Sequence, residues 1–206
     1  FIEDCLNSVY QQDYPKELLE VIVVDGNSHD RTAEIIREKF PQVKLLHNPR
    51  KIVPVSMNIG IKAAQGVYII RLDVHCVYPN DYFSRLVQFM EAHPEADNVG
   101  GVCKTLPANE TARAEAIAIA LSSKFGMGNS EFRVGVKEIK EVDTVPFGCY
   151  RREVFDKIGG YDEELTRNQD NELNSRLKQH GGRIFLLPDL LIDCLLYTSD
   201  AADDSL

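Results

Sequence analysis

Three acidic residues occupy positions from which carboxylates can do chemistry: Asp25, Asp73 and Asp170. Asp25 closes the apolar run Val21-Ile22-Val23-Val24 and is followed by Gly26-Asn27-Ser28. Backbone N–H groups around Gly26 and Ser28 suit hydrogen bonding to a polar ligand, although Asp25 could equally do no more than start the turn. Asp73 ends a second apolar run, Val67 to Asp73, and His75 stands two residues on. In extended chain, residues i and i+2 point to one side, so Asp73 and His75 would converge on a cation with Val74 turned into the core. A carboxylate with a neutral imidazole suits Mn²⁺ better than Ca²⁺; Mg²⁺ would lean on the carboxylate and on substrate phosphates. The competing reading makes His75 an ordinary hydrogen-bonded residue near a strand end. Asp170 lies in Thr166-Arg167-Asn168-Gln169-Asp170-Asn171-Glu172, a polar run that opens a helix. There it is either an N-terminal capping acid, as Asn168 could also be, or a general base that takes a proton from an attacking hydroxyl.

The elements that must position these acids follow from periodicity. Phe1, Ile2, Cys5, Leu6 and Val9 recur at helical spacing before Tyr14-Pro15. The run ending at Asp25 contains only apolar residues, three of its four being valine, as in a strand covered on both faces. Asn27, Ser28 or Asp30 can cap a helix with Ile35, Ile36 and Phe40 inward. Val43–His47 reads as a second strand, Pro54–Ala64 as a helix, Val67–Asp73 as a third strand and Tyr82–His93 as a helix. Strands alternating with helices imply βαβ units, whose strand ends face one crevice, so Asp25 and Asp73 should share a rim. After Gly100-Gly101 the pattern loosens. Thr111–Ser123, Arg151–Ile158 and Gln169–His180 are predicted helices; Val142–Val145 and Arg183–Leu187 are predicted strands, the last stopped by Pro188. The glycine-bearing stretch Phe125–Phe132 is a loop that either shapes an acceptor side or is plain surface.

Composition narrows the class. The 206 residues carry 23 Lys plus Arg against 32 Asp plus Glu, a net charge of −9, so no basic stripe is available for nucleic acid. Hydrophobic residues at 44% support a packed core, and no apolar run is long enough to span a bilayer. Five scattered cysteines without a CxxC pair argue against a disulfide framework and against a thiolate zinc site.

The motifs EVIVVDGNSHDRT, RLDVH and NQDNELNSRL, in that order and spacing, resemble the family 2 glycosyltransferases of the GT-A fold. NPRKIVPVSMNIGIKAAQG, ADNVGG, SSKFGMGNSEFRVG and VDTVPFGCYRREVFDKIGGYDEEL extend the likeness, toward the branch with succinoglycan-type exopolysaccharide glucosyltransferases. It covers Phe1 to about Ile192. The resemblance implies an open, mixed but mostly parallel α/β sheet with helices on both faces. It implies that Asp25 reads the uracil or ribose of a UDP-sugar donor, with Gly26 and Ser28 beside it. Asp73 and His75 take the Asp-x-Asp position that holds Mn²⁺ or Mg²⁺ on the diphosphate, and Arg50 lies where a basic residue approaches that diphosphate. Asp170 matches the catalytic base of inverting members. A lipid-linked or polysaccharide acceptor at the inner face of the plasma membrane, with peripheral membrane association of the full-length protein, is implied in the same way.

His75 departs from the second acid of the commoner pattern. The nucleotide-binding strand expected before Phe1 is not in the sequence, so the reading is a GT-A domain over residues 1–193 without its first strand. Residues 194–206 read as a non-native tail. Two other functions compete: a sugar-phosphate nucleotidyltransferase, for which a glycine- and basic-rich loop near the amino end is expected, and a nucleotide-sugar-binding module without turnover.

Overall fold

Helices and strands alternate along the chain in a computed structural model that describes residues 1–107, 110–121 and 130–196. In order they are α1 (Ile2–Tyr10), a 3-10 turn (Lys16–Leu18), β1 (Ile22–Asp25), α2 (Thr32–Lys39), β2 (Lys44–His47) and α3 (Val53–Ala63). Then come β3 (Tyr68–Ile70), β4 (Cys76–Val77), α4 (Tyr82–Ala92), β5 (Asn98–Pro107) and α5 (Ala112–Leu121). The second half adds α6 (Glu131–Val134), β6 (Lys140–Glu141), β7 (Cys149–Arg151), α7 (Arg152–Ile158), α8 (Gln169–Gln179) and β8 (Ile184–Leu196).

The strands form two sheets. β1 and β2 pair in parallel, and a larger sheet runs β3-β7-β5-β8-β4 with β6 attached to β8. Its spine is the parallel β5–β8 ladder, from Asn98 opposite Ile184 to Pro107 opposite Leu196. Short antiparallel ladders join β3 to β7, β7 to β5, β4 to β8 and β6 to β8, which makes the sheet mixed while its long ladder is parallel.

Alternation along β8 shows why helices cover both faces. Phe185 and Leu187 pack in one core with Leu86, Phe89 and Met90 of α4 and Cys5 and Val9 of α1. Ile184 and Leu186 point the other way, into a core with Val154 and Phe155 of α7 and Leu173 and Leu177 of α8. A third cluster seats α2 on the small sheet through Ile36, Phe40, Val43 and Leu45.

Several sequence expectations change. The predicted strand Val67–Asp73 shortens to β3, because the chain leaves the ladder after Ile70. Val142–Val145 is not a strand; its place is taken by β6 before it and β7 after it. The stretch from Asn98 to Pro107, where the pattern loosens, is the central β5. Its glycines hide a strand because the partner backbone needs their space. Pro188 does not stop β8. The register shifts between Gly101/Val102 on one side and Leu187/Leu191 on the other, so Pro188, Asp189 and Leu190 bulge out of the ladder. A bulge tolerates the missing proline N–H.

The cysteine reading changes in its disulfide part. Cys76 of β4 lies directly opposite Cys194 of β8, with Cα atoms 4.2 Å apart, and the two are joined as a disulfide. Only the strand pairing brings together residues 118 apart in sequence. Cys5, Cys103 and Cys149 are free and buried. β8 carries the chain past position 193, and residues 197–206 lie outside the described residues.

Gly101 faces the bulge at close range: a Cβ there would sit 2.3 Å from the Leu190 carbonyl oxygen. Gly101→Ala must displace that backbone and is expected to lower stability by about 1–3 kcal/mol. Urea unfolding with an unchanged midpoint would show that the bulge gives way freely.

Candidate functional site

The acids arrive at the site from different directions. Asp25 is the last residue of β1, and its carboxylate accepts the Ser28 amide at 3.1 and 3.3 Å, with Asn27 in the left-handed region at φ 68°. It therefore does start the turn, as the plainer reading held. That single N–H leaves the carboxylate with free lone pairs, so a ligand role is compatible with the turn. The next turn is held separately, by the Asp30 carboxylate accepting the Thr32 amide at the start of α2. Gly26 and Ser28 lie in the Asp25 turn itself.

Asp73 sits three residues beyond β3. Its backbone is fixed by the buried Tyr78, whose hydroxyl accepts the Asp73 amide at 2.8 Å and donates to the Asp73 carbonyl at 3.3 Å. The chain then turns, with the Cys76 amide bonded to the Asp73 carbonyl at 3.2 Å. Val74 is thus 49% exposed and not in the core, and the alternation expected of Asp73 and His75 does not apply, because this segment is a turn and not extended chain. His75, two residues on in the turn, is half-buried. Among the described residues no group of three or more His, Cys, Asp or Glu side chains could hold a metal alone.

Asp170 occupies the first turn of α8, where a carboxylate complements the helix dipole. Asn168 precedes that helix in the left-handed region and makes no side-chain cap. The helix is held from below by a buried polar network. Asn174, one turn after Asp170 and fully buried, accepts from Asn98 at 3.1 Å and from the Tyr150 hydroxyl at 3.0 Å, and donates to Thr144 at 2.8 Å. Arg176 adds a second tie, donating to the carbonyls of Ile158 and Gly160 and pairing with Glu172.

One residue joins these pieces. The Arg71 guanidinium donates through Nη1 to Asp170 Oδ2 at 2.5 Å and through Nη2 to both Asp73 oxygens at 2.9 and 3.1 Å. Its side chain is 11% exposed, against 23% and 28% for the two acids. Burial alone would push the guanidinium down; the Asp73 and Asp170 charges outweigh it and hold Arg71 above its ordinary value. The Phe147 ring lies 5.7 Å beneath it. Phe147 itself is at φ 50°, a rare backbone state for a bulky residue, and its carbonyl accepts the Tyr82 hydroxyl at 2.8 Å. Next to Asp170, burial first and then the charge of that acid keep the Tyr161 hydroxyl well above its ordinary value, so it stays protonated.

Arg50 stands apart from this cluster. It pairs at 2.5 Å with Glu163, in the loop before α8, and Glu163 also accepts from Asn58 of α3 at 3.0 Å. The structure therefore brings Asp73 and Asp170 together, holds Asp25 in its own turn and engages Arg50 with an acid. Of the predicted glycine loop Phe125–Phe132, residues 125–129 lie outside the described residues, and Glu131 and Phe132 belong to α6 and not to a loop. Sequence reasoning passes over Arg71, Phe147 and Asn174. A signal for Arg71 exists: a charge inside an apolar run demands buried partners, and an acid stands two residues away.

A family model described as glycosyl transferase family 2 matches residues 1–159. The succinoglycan biosynthesis protein ExoA of Rhizobium meliloti (strain 1021) is 36% identical over 171 residues, covering 81% of this chain and 51% of ExoA. A Methanococcus voltae dolichyl N-acetyl-alpha-D-glucosaminyl phosphate 3-beta-D-2,3-diacetamido-2,3-dideoxy-beta-D-glucuronosyltransferase is 27% identical, over 93% of this chain and 61% of its own length. The chain thus spans between half and two thirds of these relatives. Among solved structures, S. aureus TarS 1–349 in complex with UDP-GlcNAc superposes with a TM-score of 0.73 at 19% identity, over 96% of this chain and 55% of that one. Mannosyltransferase PcManGT from Pyrobaculum calidifontis, in complex with GDP-Man and Mn²⁺, gives 0.68 at 22% identity, over 95% and 52%. These superpositions show the GT-A fold that the motifs imply.

Asn174→Ala removes the centre of the network beneath Asp170 and strands three polar partners. It is expected to cost about 1–3 kcal/mol, read as a lower urea midpoint. An unchanged midpoint would mean that the network does not hold α8.

Proposed function

The chain belongs to glycosyl transferase family 2, and from that membership we propose that it forms the core of an inverting hexosyltransferase. The donor is a UDP-sugar, and the acceptor is a lipid-linked or polysaccharide hydroxyl in exopolysaccharide or cell-surface glycan synthesis. The observation that carries the reading is the Arg71 bridge, which sets the donor-side acid Asp73 beside the helix-borne acid Asp170. A binding module needs only the first of these acids. Further support comes from a relative named for succinoglycan biosynthesis and from the UDP-GlcNAc seated in TarS.

In this reading Asp25 and the Gly26–Ser28 turn receive the nucleoside, using the lone pairs that Ser28 leaves open. Arg50 is released from Glu163 to approach the diphosphate. Asp170, fixed by Arg71 and by the Asn174 network below, accepts the acceptor hydroxyl's proton. The acceptor oxygen forms its bond to the anomeric carbon as the bond to the diphosphate oxygen breaks, and UDP departs with that electron pair. Attack from the opposite face inverts the centre, so an α-linked donor yields a β-linked product.

The residues present fit a divalent cation that arrives with its diphosphate. Asp73 is partly open to solvent, His75 follows two residues on in the turn, and with fewer than three protein ligands the remaining positions fall to phosphate and water. Bound Mn²⁺ or Mg²⁺ would neutralise charge gathering on the departing UDP. PcManGT, which holds Mn²⁺ with its nucleotide sugar, supports that use. We also propose action at the inner face of the plasma membrane through peripheral association of the full-length protein; among the described residues no helix is long and apolar enough to cross a membrane.

Asp170→Asn keeps the shape of the side chain and removes the base. Sugar transfer and UDP release from UDP-glucose or UDP-GlcNAc are expected to fall about 10²–10⁴-fold with UDP affinity retained. Parental turnover would sink the assignment. Asp25→Ala is expected to raise the Kd for UDP about tenfold or more in calorimetry. An unchanged Kd would place the nucleoside elsewhere.

A further inference from the structure

Resting on the reading above, we propose that Arg71 is a positioning residue that occupies Asp73 until a cation-bearing diphosphate takes its place, and that holds Asp170 in position for proton transfer throughout. The geometry makes the exchange specific. Both oxygens of Asp73 face the same Nη2, at 2.9 and 3.1 Å. A cation that uses this carboxylate meets the positive guanidinium already held on both oxygens, so charge repulsion sets cation and Arg71 in competition for Asp73. The Asp170 contact uses the other nitrogen, Nη1, and survives the exchange.

The remainder of the side chain is built to stay where it is. The Phe147 ring supports the guanidinium plane, and Tyr78 packs edge-on against that ring at 6.0 Å. The Arg71 amide is tied to the Gly148 carbonyl at 3.1 Å. Arg71 Nε is sealed from solvent without a hydrogen-bond partner, which leaves Asp73 and Asp170 as the acids that compensate the buried charge. One guanidinium serving two carboxylates leaves the cluster one negative charge in excess. A divalent cation at Asp73 would replace the positive charge that Arg71 supplies there and leave Arg71 to Asp170. Occupation of the donor site and definition of the base thereby become one event, and by thermodynamic reciprocity each favours the other.

Removing the competitor separates this role from a purely structural one. In Arg71→Gln, kcat for UDP release from UDP-glucose is expected to fall at least about fivefold, because Asp170 loses its ionic partner. In the same variant the Mn²⁺ concentration that half-saturates UDP binding, measured by calorimetry without turnover, is expected to fall, because nothing then competes for Asp73. Arg71→Lys, a point charge that cannot bridge both acids, is expected to shift both quantities in the same directions by less. It serves as the reading variant if thermal melting shows Arg71→Gln to be unfolded. Parental values for both quantities would overturn the inference, as would a parallel loss of turnover and of Mn²⁺ affinity, the mark of a damaged fold. If Asp170→Asn stays active, the catalytic reading itself has failed. If Asp170→Asn is inactive while the Arg71 variants behave as the parent, only the role of Arg71 has.

Discussion

A guanidinium with 11% of its side chain exposed, shared between two carboxylates, is costly unless every partner is in place. Arg71 and Asp170 are 99 residues apart in the chain, so the contact exists only when the large sheet and α8 are both assembled. Removing either acid would leave a buried charge short of its counterion. Much of the surrounding architecture serves to prevent that. Tyr78 fixes the backbone of Asp73, Phe147 lies under the guanidinium, and Asn174 locks the helix that brings Asp170.

The same constraint explains the irregular second half. β7 must pass between β3 and β5 so that Gly148 can bond to Arg71, and Phe147 just before it adopts a strained backbone to place its ring. Gly148 has no room for a side chain, since a Cβ would fall 2.1 Å from Asn98 Oδ1. The loop before α8 is drawn toward α3 by Asn58, which bonds to both backbone groups of Tyr161, and by the Arg50–Glu163 pair.

Much of this was legible in the residues. The apolar run before Asp25, the helical stripes of α1 and α4, and the polar opening of α8 each follow local rules that the tertiary structure leaves alone. Order and spacing of the motifs led to the correct family and fold. Apart from the local turn at Val74, the failures share one cause: contacts between distant segments. Pro188 is tolerated because Gly101 on the partner strand leaves room for a bulge. Val74 is exposed because Tyr78 pulls the chain into a turn after Asp73. Cys76 meets Cys194 through strand pairing that neither segment encodes alone. Arg71 was hidden within an apolar run: Asp73 stands two residues on, but Asp170 lies 99 residues along the chain, and periodicity cannot display that partner.

The placement of donor and base in one cleft is most directly tested by a crystal structure of the protein with UDP and Mn²⁺ bound. The expected result is uracil or ribose against Asp25, the diphosphate and cation at Asp73 with Arg71 withdrawn from it, and Asp170 facing the vacant sugar position. Nucleotide bound away from both Asp25 and Asp73, or a diphosphate that leaves Asp170 on the far side of the chain, would contradict it.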